Sequence, residues 1–186
     1  LVVDQISLSG NVDYTNDCQL HVADFNGDKK TDLYVFKNGN VKIYSLNSNN
    51  VFTLIRSFSH TNISLSRPIL LGDYNGDGKT DFIVPNNYGN NYTKYLSDGV
   101  TFKNSSEIYP FTYYESAVLG SEIDLSHLIP YDFNADGKTD IVRVHNASAG
   151  SLANITVEYY KNLGPSFVSQ MAAYTGASSN IGAYAI

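Results

Sequence analysis

Short apolar stretches of three to six residues alternate with polar turns along most of the chain. No segment keeps apolar residues at positions i, i+3, i+4 and i+7 for long, as an amphipathic helix would. The apolar residues are mostly Val, Ile, Tyr and Phe, which favour strands, and the intervening residues are the Gly, Asn, Asp and Ser typical of turns. The pattern predicts an all-β protein built from short antiparallel strands.

An acidic segment of nine residues occurs three times. It reads DFNGDKKTD at residues 24–32 (loop 1), DYNGDGKTD at 73–81 (loop 2) and DFNADGKTD at 132–140 (loop 3). An apolar stretch precedes and follows each loop, and then come a turn, a Tyr-containing stretch, a second turn and a Phe-containing stretch. Each unit of roughly 50 residues therefore predicts four short antiparallel strands, which is the content of one β-propeller blade.

Three such blades are predicted, at about residues 18–66, 67–125 and 126–175, in one partial propeller domain that covers residues 1–186. Propellers usually contain four to eight blades. An open arc of three blades would leave sheet edges unprotected. We therefore expect this chain to be part of a larger propeller, attached to further domains of a longer chain.

Oxygen-bearing groups recur at odd positions of each loop, with Asp at positions 1, 5 and 9 and Asn at position 3. A tightly curled loop turns alternate side chains inward, so these oxygens can converge on one ion, and the backbone carbonyl of the Lys at position 7 can join them. Hard oxygen ligands in this number suit Ca²⁺. The predicted ligands of about three Ca²⁺ ions are Asp24, Asn26, Asp28, Lys30 and Asp32; Asp73, Asn75, Asp77, Lys79 and Asp81; and Asp132, Asn134, Asp136, Lys138 and Asp140.

The charge balance supports bound cations. The chain has 18 acidic and 12 basic residues, for a net charge of −6, and half of the acidic residues lie in the three loops. Carboxylates held this close repel one another unless a cation lies between them, and three Ca²⁺ ions would cancel the net charge. The alternative is ordinary Asx turns on hairpins, but these do not require the same carboxylates three times. Zinc would need His or Cys, and the loops contain neither.

The loops and their flanks resemble the FG-GAP/VCBS repeats of integrin-like β-propellers over about residues 18–170. The resemblance implies calcium binding by the Asp-x-Asx-x-Asp-Gly-x-x-Asp hairpin between the first two strands of a blade. Two features depart from the family pattern: the Phe-Gly and Gly-Ala-Pro elements are absent, and position 6, usually Gly, is Lys29 in loop 1. If that position needs a positive φ, Lys29 bears strain of about 1 kcal/mol. We therefore predict that loop 1 is the weakest ion site.

The negative net charge argues against nucleic acid and anionic membranes as partners, and no apolar stretch is long enough to span a bilayer. The sequence contains no Gly-x-Ser-x-Gly, P-loop or His-Glu-x-x-His motif, so we expect no enzymatic activity. Calcium modules of modest affinity stay loaded outside the cytosol. We therefore expect an extracellular, secreted, cell-surface or periplasmic location.

Two functions remain open. One is a non-catalytic scaffold for protein interaction or adhesion, as in secreted adhesins and toxin-complex proteins that carry similar repeats. The other is a carbohydrate-binding, lectin-like propeller, or a non-catalytic module of a secreted hydrolase. The partner would be a protein or a glycan on a cell surface. Tyr109, Phe111, Tyr113 and Tyr114 could form a binding loop, although packing between blades is the preferred interpretation of these rings.

Overall fold

Every regular secondary-structure element in the described part of the chain is a β-strand. The computed structural model describes residues 7–8, 17–86, 89–113, 127–146, 154–170 and 176–177. Blade 1 contains β2 (Gln19–Ala23), β3 (Asp32–Lys37), β4 (Asn40–Leu46) and β5 (Val51–Ser59), with β1 (Ser7–Leu8) beside it. Blade 2 contains β6 (Leu70–Gly72), β7 (Asp81–Pro85), β8 (Gly89–Ser97) and β9 (Phe102–Tyr113). Blade 3 contains β10 (His127–Tyr131), β11 (Asp140–Asn146), β12 (Asn154–Asn162) and β13 (Phe167–Gln170), with β14 (Gly176–Ala177) beside it.

Each blade is a four-stranded antiparallel meander, in which strands that follow one another in the chain are hydrogen-bonded neighbours. β1 adds a parallel strand to the outer edge of blade 1 by pairing with β5, and β14 pairs with β12 of blade 3. The prediction of an all-β fold with three four-stranded sheets is confirmed. The four-stranded meanders fall within the predicted blade ranges, while the domain boundaries themselves and the larger propeller stay predictions. Within the described ranges, no helix is long and apolar enough to cross a membrane.

Among the described residues, two apolar cores lie between successive blades. The core between blades 1 and 2 joins Tyr34 and Phe36 of β3 to Phe82 of β7 and their neighbours. The core between blades 2 and 3 includes Ile83 of β7 together with Ile141 of β11. Successive side chains of β7 thus point into opposite cores, and all five residues of this strand are buried. This explains why its sequence is continuously apolar after Asp81 and does not alternate.

The predicted Tyr-rich binding segment belongs largely to the core between blades 2 and 3. Tyr109, Phe111 and Tyr113 lie in strand β9, not in an inserted loop, and all three are buried. The Phe111 ring lies 5.2 Å, centroid to centroid, from the rings of both Tyr160 and Phe167 in blade 3. These three rings therefore pack between blades, and a binding surface cannot use them. Tyr114 lies outside the described residues.

Candidate metal centres

The three acidic loops lie at the same end of their blades, because each connects the first strand to the second. Loop 1 joins β2 to β3, loop 2 joins β6 to β7, and loop 3 joins β10 to β11. In each loop the Asp at position 9 opens the second strand and pairs with the last residue of the first, as Asp32 does with Ala23. The sheet register therefore brings three chemically similar loops into equivalent positions.

Hydrogen bonds from the loop's own amides curl each loop around its oxygen-bearing side chains. In loop 1, Asp24 accepts the amides of Gly27 and Lys29 at 2.7 and 2.8 Å, one on each carboxylate oxygen. Asn26 Oδ1 accepts the Asp28 amide at 3.0 Å, and Asp28 Oδ1 accepts the Lys30 amide at 2.9 Å. Loop 2 repeats all of these contacts, and loop 3 repeats those at positions 3 and 5 and the position-6 amide to Asp132 Oδ2. In loop 3, Asp132 Oδ1 accepts the Asp136 amide at 3.1 Å. In each loop the side-chain oxygens at positions 1, 3 and 5 therefore accept amides of the same loop, while their convergence on one ion stays a prediction.

The Asp at position 9 is fully buried in all three blades, with 0% of Asp32, Asp81 and Asp140 exposed. In loop 2, Asp81 accepts the Tyr74 amide at 3.0 Å and the Ser97 amide at 2.7 Å. The pKa of Asp81 is raised to about 7, mainly by burial and also by the nearby Asp73 and Asp77 carboxylates, while these two hydrogen bonds act to lower it. Burial likewise raises the pKa of Asp32. A buried carboxylate of this kind is stabilised in its ionised form by a nearby cation.

The donor chemistry of the loops fits Ca²⁺, because carboxylate and amide oxygens are its preferred ligands. One buried oxygen, Asp32 Oδ1, accepts no well-formed hydrogen bond from the described residues, although the Ser45 side chain lies close enough to lower the pKa of Asp32 against the effect of burial. A buried acceptor without a partner is costly, and a bound cation would satisfy it. Within the ranges described above, however, no three acidic, His or Cys side chains are grouped as a ligating cluster. Ion binding would thus require the loop side chains to close further around the ion.

Lysine side chains neutralise part of the negative charge of loops 2 and 3. In loop 2, Lys79 Nζ lies 3.0 Å from Asp77 Oδ2, and in blade 3 Lys161 Nζ lies 3.6 Å from Asp136 Oδ2. Hydrogen bonds from the Lys79 side chain and amide hold the pKa of Asp77 below its usual range against the effect of burial. The amide of Lys138 does the same for Asp136. Both carboxylates are therefore ionised at neutral pH, as an ion site requires.

Two loops carry a side chain at a position where the backbone favours glycine. Lys29 at position 6 of loop 1 has φ 65°, where Gly78 and Gly137 have 78° and 84°. The condition set for strain at Lys29 is therefore met, although the relative affinity of loop 1 stays a prediction. Position 4 of loop 3 shows the same conflict, because Ala135 has φ 59° where Gly27 and Gly76 stand in the other loops. The sequence comparison of position 6 did not reveal this second strained residue.

Loop 3 differs from the other two at positions 2 and 9. Phe25 and Tyr74, at position 2 of loops 1 and 2, are each 2% exposed and donate their amides to the position-9 Asp. Phe133, at the same position of loop 3, is 49% exposed. Asp140 Oδ2 there accepts the Asn134 side-chain amide at 2.9 Å and the Tyr159 hydroxyl at 2.8 Å. The third loop therefore has its own hydrogen-bond network around the buried carboxylate.

Comparison with known proteins agrees with this architecture. The model of the FG-GAP-like repeat matches residues 24–84 and 73–143, which together cover more than half of the chain. Among solved structures, the chain is similar to a lectin from Agrocybe aegerita that recognises non-reducing terminal N-acetylglucosamine, with a TM-score of 0.57 and 18% sequence identity. The alignment covers 88% of this chain and 39% of the lectin, so the chain spans well under half of that protein's length.

At 18% identity the likeness to the lectin shows only a shared β-propeller-like fold. The comparison with curated proteins gave no match. The family assignment rests on the repeat model, whose two matches begin at Asp24 and Asp73, the first residues of loops 1 and 2. This chain therefore belongs to the FG-GAP-like repeat family.

Proposed function

We propose that this chain is a calcium-binding, non-catalytic propeller module that serves protein interaction or adhesion outside the cytosol. The proposal is carried by one observation: three loops with the same oxygen donors lie at equivalent positions of successive blades, each curled by its own amides. The ions would be held by the side chains at positions 1, 3, 5 and 9 and the carbonyl at position 7. Calcium there would stabilise the loop conformation and supply no reaction chemistry.

The expected stabilisation is a large share of the stability of a typical domain, which is about 5–15 kcal/mol. At about 1 mM free calcium and a dissociation constant of about 0.1 mM, each site adds roughly 1.4 kcal/mol to the free energy of unfolding. Three sites add about 4 kcal/mol, which corresponds to a change in melting temperature on the order of 10 °C. Cytosolic calcium would leave sites of this affinity empty, which is why we propose an extracellular, cell-surface or periplasmic location.

Calorimetric titration with Ca²⁺, together with melting curves in calcium and in chelator, tests this proposal. We expect about three bound ions and a lower melting temperature in chelator, with Mg²⁺ a poor substitute. The matched control is the triple variant Asp28→Asn, Asp77→Asn and Asp136→Asn, whose side chains keep the oxygen that accepts the loop amide. If the wild-type chain binds no calcium at millimolar concentration, the proposal is wrong.

A carbohydrate-binding function is the second candidate, and an exposed aromatic patch favours it. Tyr131 is 67% exposed, and its ring lies 5.6 Å from that of Phe133, which in turn lies 6.1 Å from the ring of Tyr159. Aromatic faces that border amide and carboxylate groups are suited to sugars. The fold shared with a lectin adds support. A glycan array with and without chelator, repeated on Tyr131→Ala, tests this function; binding that survives the substitution argues against the patch.

A further inference from the structure

One residue of blade 2, Ser97, contacts two acidic loops at once. Its amide donates to Asp81 Oδ1 of loop 2 at 2.7 Å, and its hydroxyl donates to the Phe25 carbonyl of loop 1 at 2.8 Å. Ser97 is 2% exposed, so water does not compete for either hydrogen bond. The position of the last carboxylate in loop 2 is therefore tied to the backbone at position 2 of loop 1.

Asn162 makes the same two connections in blade 3. Its amide donates to Asp140 Oδ1 at 2.8 Å, and its side chain donates to the Tyr74 carbonyl of loop 2 at 2.9 Å. The two residues are equivalent in register, because Ser97 pairs with Phe102 and Asn162 pairs with Phe167. The corresponding residue of blade 1 is Leu46, which pairs with Phe52 and has no side-chain donor.

Two further contacts join neighbouring loops at both blade junctions. The Thr80 amide of loop 2 donates to the Asp24 carbonyl at 2.7 Å, and the Thr139 amide of loop 3 donates to the Asp73 carbonyl at the same distance. The aliphatic part of the position-7 lysine packs on the position-4 glycine of the preceding loop. A methyl group added to Gly27 would meet Lys79 Cγ at 3.3 Å, and one added to Gly76 would meet Lys138 Cγ at 3.3 Å.

We propose that Ser97 and Asn162 couple calcium binding between adjacent loops, an inference that rests on the proposed calcium function. An ion in loop 2 fixes Asp81, which fixes Ser97 and, through it, the start of loop 1. The neighbouring loop then loses less conformational freedom when it binds its own ion, so the second ion binds more tightly. The coupling is reciprocal, and it joins loop 1 to loop 2 and loop 2 to loop 3, but not loop 1 to loop 3.

Variants with two intact loops test the proposal. Asp136→Asn leaves the adjacent loops 1 and 2, whereas Asp77→Asn leaves the non-adjacent loops 1 and 3. Double variants leave single loops, and the product of two single-loop binding constants is the overall constant expected for an uncoupled pair. Calorimetric titration should give the adjacent pair an overall binding constant at least fivefold above that product. The non-adjacent pair should match its own product, and circular dichroism checks the fold of every variant.

The linking residue is tested in the Asp136→Asn chain. Ser97→Ala removes the hydroxyl donor and should reduce the fivefold excess to the part carried by the Thr80 and Lys79 contacts, whereas Ser97→Asn supplies the donor found in blade 3 and should retain the full excess. Equal results for the adjacent and non-adjacent pairs, in a chain that binds calcium, overturn the coupling alone. An excess that is undiminished in a folded Ser97→Ala variant also overturns it. The absence of calcium binding by the wild-type chain overturns the proposed function and the coupling with it.

Discussion

The Gly72→Ala substitution measures how closely blades 2 and 3 pack beside the acidic loops. Gly72 is the last residue of β6, and Thr139, which is 7% exposed, belongs to loop 3 of the next blade. A methyl group at Gly72 would come within 2.7 Å of Thr139 Cβ and still closer to its Oγ1 and Cγ2. Ordinary contacts between such atoms are about 3.5–4.0 Å, so one blade must shift by roughly 1 Å.

The expected cost follows from the rigidity of this contact. Thr139 is short, β-branched and buried, and its amide is held by the Asp73 carbonyl, so the side chain cannot simply swing away. Overpacking of this kind costs about 1–3 kcal/mol. The loss of glycine flexibility in the unfolded chain returns about 0.5–1 kcal/mol. The two ranges combine to a net loss of about 0–2.5 kcal/mol, and a loss near the middle, about 1 kcal/mol, would lower the melting temperature by about 2–4 °C for a chain of this size.

Thermal or urea unfolding in a double-mutant cycle with Thr139→Gly checks this reasoning. Because Thr139→Gly removes the three atoms nearest to the new methyl group, Gly72→Ala should become neutral or stabilising in that background. The equivalent residue of blade 1 is already Ala23, so Ala23→Gly is a matched control that should show no relief of overpacking. A Gly72→Ala substitution that changes stability equally in the wild-type and Thr139→Gly backgrounds would refute the close packing of these two blades.

Three further predictions concern the loops themselves. In chelator, the contribution of Asp81 to stability should fall as the pH rises from about 4 to about 7, because its pKa of about 7 in the folded chain exceeds the usual value near 3.9. Urea midpoints measured at several pH values should show this fall. Calcium should reduce the pH dependence, and Asp81→Asn should remove it. Lys29→Gly should relieve about 1 kcal/mol of backbone strain and tighten calcium binding by loop 1. Lys29→Gln removes only the charge and should leave the strain. Equal melting temperatures for these two variants would contradict the strain at Lys29. Ala135→Gly should likewise stabilise loop 3, as measured by melting temperature, and a loss of stability would show that φ 59° carries no strain.

The blades and loops could be predicted from the sequence because they depend on local patterns. Alternating residues form strands, and the odd-numbered oxygens recur at fixed intervals within each loop. The position-9 aspartates show the limit of this reasoning. Their spacing predicts ligands, but it does not reveal that Asp81 is buried or that it accepts amides from two different segments. Burial depends on how the blades pack, which a local pattern does not specify.

The residues that link the loops leave no recognisable sequence signal. Ser97 lies 16 residues after Asp81, whereas Asn162 lies 22 residues after Asp140. Neither the residue type nor the spacing repeats, and only the pairing of β8 with β9 and of β12 with β13 reveals that they are equivalent. The Thr at position 8 does recur in all three loops, and its recurrence could have suggested a role outside the ion site. The sequence could not decide whether the Tyr-rich segment is a buried strand or an exposed binding loop, because both are rich in aromatic residues.

The side of blade 3 that a following blade would meet bears on any attempt to lengthen the protein by copying a repeat. Where blade 2 has Gly72 and Gly76 against its successor, blade 3 has Tyr131 and Ala135. A duplicated repeat would have to fit its own threonine and lysine into space that these two side chains fill. Grafting a fourth unit therefore calls first for a small residue in place of Tyr131, as at Ala23 and Gly72, and for glycine in place of Ala135; without these changes a tandem copy should remain tethered but undocked.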